Sequence, residues 1–295
     1  MEPQSSIKDQ IDSVSKSTIK YIFKKLFIQL FLLLVYFVTL LYLFIKDTNK
    51  VVNGPPASDD GGYFLKTLFY FLMPPAVLYF SYKWVKGKII KQFIQQFAEV
   101  NNFSYSESEN LSNLDGNIFV FGKDRYYINV CTGYFNNLPV RLFNYYYRVY
   151  SQQNVKKHNS TVFEIQFENL LPPLMLLVDH HDFGGSMTVN FKKPAKLKLE
   201  GDFDKFFDLY TEQDLEIEVL QVFTPDFMIQ MRDNWKNFSI EFTTNRIYIY
   251  SYKLVLNRKD LQQMFELVQF LIKKLEPVLV RMQGSLKETL AVFSK

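Results

Sequence analysis

The sequence predicts an α+β domain, built from a mostly antiparallel sheet with a packed C-terminal amphipathic helix, preceded by a two-helix transmembrane hairpin. Three observations lead to this fold class: two long apolar runs near the N-terminus, a series of short aromatic and β-branched runs, and a late helical apolar period. Because the strand-like runs follow one another, an alternating parallel α/β fold is disfavoured.

The composition excludes several classes of protein. A chain of 295 residues that is 48% hydrophobic is too apolar to be disordered. With one cysteine, Cys131, it forms no intramolecular disulfide and has too few thiolates for a Cys-based zinc or iron–sulfur site. Residues 88–295 hold 24 Lys/Arg and 24 Asp/Glu, so we expect no nucleic-acid partner, because such partners favour basic domains.

The first apolar run, residues 26–45, is predicted to be transmembrane helix 1. It reads LFIQLFLLLVYFVTLLYLFI, and twenty helical residues span roughly 30 Å, the hydrocarbon thickness of a bilayer. It is too long for the apolar region of a signal peptide. Residues 1–25 before it have apolar positions near helical spacing, which predicts an amphipathic cytosolic segment, although a frayed tail fits equally well.

The second apolar run predicts transmembrane helix 2 over residues 63–83, although Pro74 and Pro75 interrupt it. Membrane helices tolerate such kinks when neighbouring groups satisfy the freed carbonyls. Residues 46–62 between the two runs are rich in Gly, Pro, Ser and Asp and predict an external loop.

Lysine placement predicts the orientation in the membrane. Lysines concentrate before the first span and after the second, so the positive-inside rule places both termini in the cytoplasm of a multi-pass inner-membrane protein. The lipid bilayer is therefore an expected partner. A further basic patch, KKPAKLK, could also touch anionic headgroups, although a solvated edge strand guarded by lysines explains it as well. The lysines expected at the membrane surface are Lys24, Lys25, Lys83, Lys86, Lys88, Lys192, Lys193, Lys196 and Lys198.

Residues 84–295 are predicted to form the cytosolic α+β domain. A helix from the second span continues to Asn101–Asn102, and a polar break precedes the strands. The expected strands are NIFVFG, RYYINVCTG, VRLFNYYYRVYSQ, STVFEIQFE, PPLMLLVD and KLKLEG, followed by a hairpin in FSIEFTTNRIYIYSYK that turns at Thr244–Asn245.

Two helices are predicted in the second half of this domain. A helix at 224–234 has Thr224 as N-cap and Pro225 at its first position. A longer one, from about Lys259 to Leu275, has apolar residues at steps of three and four and should pack across the sheet. A sheet closed by such a helix also describes pleckstrin-like domains, as a fold analogy only.

No motif in the sequence predicts catalysis or a cofactor. The run from Gly201 to Met228 is rich in acidic residues. We expect these residues to form the solvent-exposed face of strands, because Glu216 and Glu218 alternate with Ile217 and Val219. Cys131 is expected to be a buried thiol. The candidate metal ligands are Asp179, His180, His181 and Asp182, but an exposed loop is favoured because adjacent strand residues point to opposite faces.

The acid-rich run resembles a signature of the bacterial family called domain of unknown function 3137. The resemblance is strongest from Gly201 to Tyr250 and covers about Trp84 to Leu275, with Ile217 and Phe223 departing from the family pattern. It implies a bacterial inner-membrane protein with a membrane hairpin and a cytosolic domain, and it implies no catalytic residues. The matching positions are Phe203, Phe207, Tyr210, Asp214, Glu216, Thr224, Pro225, Asp226, Phe227 and Met228.

The function predicted from sequence is that of a two-pass membrane protein presenting a cytosolic binding or scaffolding module to a protein partner. The first alternative is a carboxylate-dependent metalloenzyme that uses the acid-rich run. The second is a lipid-facing membrane regulator that uses Lys192–Lys198 and the N-terminal segment.

Overall fold

The computed structural model describes residues 24, 27–29, 31–46, 60–110, 113–120, 122–150, 154–178, 190–255 and 258–293. The chain divides into two compact units, one formed by Asp12–Phe93 and the other containing Ile94–Lys295. The boundary falls inside one continuous helix.

The unit of Asp12–Phe93 contains helix α1, Phe27–Lys46, and most of helix α2, Asp60–Val100. Among the described residues, α1 is the one helix long and apolar enough to cross a membrane, with a mean hydropathy of 2.5 and no burial within the protein. A two-helix transmembrane hairpin is not shown. The second predicted span lies within α2, which begins at Asp60 and passes through Pro74 and Pro75 without a break.

The strands of the described residues form one nine-stranded sheet, in the order β1-β2-β3-β4-β9-β8-β5-β7-β6. Every pair of neighbouring strands is antiparallel, which confirms the α+β fold class with a large antiparallel sheet. The strands are β1 Ser104–Ser108, β2 Lys123–Phe135, β3 Leu138–Tyr150, β4 Val155–Gln166, β5 Leu174–Val178, β6 Pro194–Leu197, β7 Phe207–Glu212, β8 Ser239–Phe242 and β9 Arg246–Ser251.

Helix α6, Arg258–Phe293, covers one face of this sheet and confirms the predicted C-terminal amphipathic helix. Phe265 lies at the centre of the contact, with its ring 5.0 Å from Phe163 of β4 and 5.3 Å from Phe97. The helix is longer than its sequence pattern indicated, because Leu279, Met282 and Leu286 continue the buried stripe beyond Leu275. Met282 and Leu286 pack with Leu215.

Turns and caps explain several element boundaries. Asn136 and Asn137, both at positive φ, join β2 to β3 in the two-residue hairpin turn that favours asparagine. The predicted helix at 224–234 is confirmed as α5, Pro225–Asn234, where the Thr224 hydroxyl accepts a hydrogen bond from Phe227 N at 3.3 Å. The predicted β8–β9 hairpin is also confirmed.

Four local predictions were wrong. The polar stretch after Asn102 contains edge strand β1, and NIFVFG contains a short helix, α3, Asn117–Val120, in place of a strand. Residues 155–159, which lie between the predicted strands VRLFNYYYRVYSQ and STVFEIQFE, extend β4. The acids of the run from Gly201 to Met228 were expected on strands, but Glu216 and Glu218 lie in helix α4, Glu216–Val222, and Asp204 lies in a 3-10 turn at Phe203–Lys205.

Candidate functional site

The face of the sheet opposite α6 combines tyrosines with buried charge. Alternation along the strands places Tyr145 and Tyr147 of β3, and Tyr248 and Tyr250 of β9, on this face, and all four are buried. Helix α3 covers part of them: the Phe119 ring lies 5.2 Å from Tyr145 and 5.0 Å from Tyr248. Polar groups at the border of this aromatic core form the candidate site.

Glu241 of β8 is the most buried carboxylate of the site, with no exposed surface. It accepts hydrogen bonds from the backbone N–H and the Nδ2 of Asn117, the second at 2.8 Å, and from Ile118 N at 3.4 Å. Burial raises the pKa of Glu241 to about 7, and these three donors oppose the rise because they favour the ionised form. Glu241 therefore fixes the start of α3 to the sheet.

Gly116 makes this close approach possible. A Cβ atom at that position would lie 3.0 Å from Cδ2 of Tyr248 and 3.1 Å from Oε2 of Glu241. Both distances are tighter than ordinary van der Waals contact, so a larger residue would require the Tyr248 ring or the Glu241 carboxyl to shift by a few tenths of an ångström.

A network of charged and polar contacts links the segment around Asp115, which precedes α3, to strands β9 and β4. Tyr248 donates its O–H to Asp115 Oδ1 at 2.7 Å, and Arg246 Nη1 donates to Asn113 O at 2.6 Å. Arg246 Nε also lies 3.2 Å from Glu164 Oε1. Burial and the nearby Glu164 and Asp115 raise the pKa of Tyr248, so its hydroxyl stays protonated and donates.

Glu164 is almost fully buried and is held by two arginines. Arg141 donates from Nε to Oε2 at 2.6 Å and from Nη2 to Oε1 at 2.7 Å, the two-pronged geometry that suits a guanidinium and a carboxylate. The contact with Arg246 then links this pair to the segment around Asp115. Such a charge is stable when buried because its oxygens are all hydrogen-bonded or ion-paired.

Glu212, at the end of β7, holds a second segment of chain against the site. It accepts from Lys192 N at 2.6 Å and from Lys193 N at 2.9 Å. Asn190 in the same segment donates from its backbone N–H to Asn117 Oδ1 at 2.7 Å. The segments at 113–120 and 190–193 are thus fastened to the sheet and to each other by side-chain acceptors.

A cavity of about 500 Å³ lies between these two segments and the sheet. Asp115, Glu212 and Glu241 are among the residues that line it, together with the apolar residues Phe191 and Leu215. A cavity of this size admits a side chain or a small ligand, and its acceptors suit a group that carries N–H donors. A cavity lined by a carboxyl of raised pKa is also the setting in which functional groups concentrate.

The predicted metal ligands Asp179, His180, His181 and Asp182 lie outside the described residues, so that prediction stays untested. Among the residues that the structure does describe, no group of three or more His, Cys, Asp or Glu is arranged to hold a metal ion.

The carboxylates of the acid-rich run do not converge, and this divergence argues against the metalloenzyme hypothesis. Asp204 accepts from Leu199 N at 3.2 Å, and Glu212 faces the cavity. The others with ion-pair partners point to different places on the surface: Asp202 to Arg232 at 2.9 Å, Asp208 to Lys196 at 2.7 Å, and Asp226 to Lys274.

The lysines predicted at the membrane surface occupy several elements. Lys83, Lys86 and Lys88 lie in α2, and Lys24 is exposed, whereas Lys25 lies outside the described residues. Lys192, Lys193 and Lys198 are exposed next to edge strand β6, and Lys196 of β6 pairs with Asp208. Membrane contact by any of them remains a prediction.

Cys131 is fully buried, as the sequence predicted. Burial raises the pKa of its thiol to about 12, which disfavours the reactive thiolate.

Sequence reasoning missed Asp115 and Glu241, two of the three acidic residues that line the cavity. Glu241 stands between two buried apolar residues of a strand, in SIEF, and Asp115 precedes a glycine in LDGN. An acid in the middle of a strand that faces inward was the available signal, because such a group must find partners.

No protein-family model matches the sequence, and no curated protein matches it either. Among solved structures, the chain is similar to the crystal structure of the mycobacterial trehalose monomycolate transport factor A, TtfA. The two share 12% sequence identity with a TM-score of 0.49, over 64% of this chain and 96% of that chain. A likeness of this size carries no functional conclusion.

Proposed function

We propose that the chain is a membrane-anchored binding module, in which two spans hold a cytosolic α+β domain at the inner membrane and the domain takes a protein partner at the Glu241 cavity. The proposal includes membership of the domain of unknown function 3137 family, on the strength of the residues from Gly201 to Tyr250.

The anchor is supported by α1. A helix of 20 residues with a mean hydropathy of 2.5 and no surface buried in protein is costly in water and stable in a bilayer. The second span is proposed from the apolar run inside α2 and from the lysines that follow it.

The cavity is the single observation that carries the binding role. Its three carboxyls already accept hydrogen bonds from separate N–H and O–H groups of the protein: Glu241 from Asn117, Glu212 from Lys193 N and Asp115 from Tyr248. The side chain of Asp115 is 42% exposed, so it can also receive a lysine, arginine or amide donor from outside. The arrangement favours recognition of a basic or N–H-bearing group over chemistry on it.

Site-specific photo-crosslinking in cells tests the proposal. A photoreactive benzoylphenylalanine at Thr244, which is exposed on the cavity rim, should give a discrete protein adduct. The same group at Tyr134, a residue 73% exposed and away from the cavity, should not give that adduct.

Charge variants identify the cavity as the cause. Asp115→Asn keeps an acceptor for Tyr248 but removes the negative charge, so the adduct should weaken severalfold. Glu200→Gln, at an exposed acid that does not line the cavity, should leave it unchanged. Equal adducts from Thr244 and Tyr134, or equal effects of the two charge variants, would contradict the binding role.

A further inference from the structure

One end of the sheet combines cations with exposed aromatic rings. The basic end comprises residues 123–126 of β2, 146–150 of β3 and 155–159 of β4, where the three strands lie side by side. It holds five cations and one carboxylate, Asp124. The cations are Lys123, Arg125, Arg148, Lys156 and Lys157.

Three of these cations are placed directly across from one another. Arg148 is the cross-strand partner of Lys123 on one side and of Lys157 on the other. Like charges in directly opposed positions destabilise a sheet, so the row of three cations does not contribute to the stability of the fold. Asp124 offsets part of the repulsion through its ion pair with Arg148, at 3.2 Å.

Aromatic side chains flank the row on the same face of β3. Tyr146 and Tyr150 lie one alternate position to either side of Arg148. Tyr146 stacks on Tyr126 with ring centroids 4.8 Å apart, and Tyr126 and Tyr150 are each 50% exposed. The Tyr150 hydroxyl also donates a hydrogen bond to Asp124, which holds the Tyr150 ring next to the cations.

The charge is segregated from the rest of the domain. Residues 88–295 hold 24 cations and 24 acids, so subtracting the five cations and one acid of the basic end leaves 19 cations and 23 acids. The basic end is therefore positively charged in a domain that is otherwise net acidic. An anionic surface is attracted to the basic end and repelled by the rest of the domain.

We propose that the basic end contacts the anionic headgroups of a lipid bilayer. This inference deepens the proposed function, because it rests on the domain being held near a membrane and names the lipid class that the domain itself touches. Tyrosine rings with lysine and arginine beside them are the combination found at the interface of a bilayer, where rings enter the headgroup layer and cations meet phosphates. A nucleic acid would instead need a basic excess over the whole domain.

A fluorophore at the basic end of the full-length chain tests this contact. Asn154, exposed immediately before β4, is changed to Cys in a Cys131→Ser background and labelled with a polarity-sensitive nitrobenzoxadiazole group. The labelled chain is reconstituted into phosphatidylcholine vesicles with or without phosphatidylglycerol. Emission should brighten and shift to the blue only with phosphatidylglycerol, and added salt should reverse the change.

Matched charge variants separate this end from the other basic patch. Each cation near an anionic surface changes the binding constant about fivefold, so removing three predicts about a hundredfold loss. Lys123→Gln, Arg148→Gln and Lys157→Gln together should abolish the emission change. The control triple variant Lys192→Gln, Lys193→Gln and Lys198→Gln should preserve it.

Three results would overturn the inference. They are identical emission in both kinds of vesicle, an equal loss in the two triple variants, and an emission change caused by free glycerol phosphate without phosphatidylglycerol. Flotation of the same samples reports the anchor separately. A chain that floats with both kinds of vesicle but shows no emission change with phosphatidylglycerol contradicts the basic end alone, whereas one that does not float contradicts the anchor.

Discussion

Replacing Glu241 with glutamine should make the domain's stability less dependent on pH. The pKa of this carboxyl rises from 4.5 to about 7 on burial. Between those values the native state keeps a proton that the unfolded state has released, so the free energy of unfolding falls as pH rises. A rise of that size corresponds to about 3 kcal/mol, because each pKa unit is worth about 1.4 kcal/mol.

Glutamine retains most of the local contacts while it removes the titration. Its oxygen can still accept from the N–H and Nδ2 of Asn117, and it loses the longer contact with Ile118 N at 3.4 Å. We expect Glu241→Gln to cost up to about 1 kcal/mol at pH 4.5, as for one weak hydrogen bond. Relative to wild type, the variant should gain about 3 kcal/mol by mildly alkaline pH.

Denaturant unfolding of the full-length chain in detergent measures this difference. Trp235, which is 8% exposed and packs on Phe270 with ring centroids 4.8 Å apart, provides a fluorescence signal for the domain. Glu200→Gln, at an exposed carboxylate, is the control and should follow wild type at every pH. If the difference between Glu241→Gln and wild type stays constant across the range, the carboxyl does not titrate in the buried position described.

Three further predictions concern the core, a helix cap and the thiol. Phe265→Ala should lower the free energy of unfolding by about 3–5 kcal/mol in the same assay, because the ring packs on Phe163 and a cavity remains; a loss below about 1 kcal/mol would contradict the packing of α6. Thr224→Ala should cost about 1 kcal/mol through the lost bond to Phe227 N, whereas Thr224→Asp should retain most of the stability. Cys131 should react with a thiol reagent at neutral pH only as the domain unfolds, so its rate should rise with denaturant; rapid labelling of the native chain would contradict its burial.

Strands with a strong alternating pattern could be predicted from the sequence, and those without one could not. β3 and β9 are rich in aromatic and β-branched residues, so local propensity and burial agree. β1 reads SYSES, and it forms a strand because its backbone pairs with β2 at the edge of the sheet, although no side chain of β1 is fully buried. Backbone pairing of this kind does not require an alternating pattern of apolar residues, so the sequence does not indicate it.

Helix α3 and the cavity depend on contacts that are distant in sequence. NIFV has the composition of a strand, but Glu241, 124 residues away from Asn117, caps its backbone and makes a short helix more stable there. The acids of α4 look like one face of a strand because apolar and acidic residues alternate, yet Leu215, Val219 and Val222 share the buried side of a helical segment. Short segments carry too few residues to separate the two periods.

The measurement that tests the central claim most directly is the accessibility of single cysteines on the two sides of the membrane. In a Cys131→Ser background, Ser58→Cys places a thiol in the predicted external loop, and Lys236→Cys places one on the exposed surface of the domain. An impermeant maleimide should label Ser58→Cys in intact spheroplasts and Lys236→Cys only after the membrane is permeabilised. Labelling of Lys236→Cys in intact spheroplasts, or protection of both thiols, would contradict a two-pass anchor with a cytosolic domain.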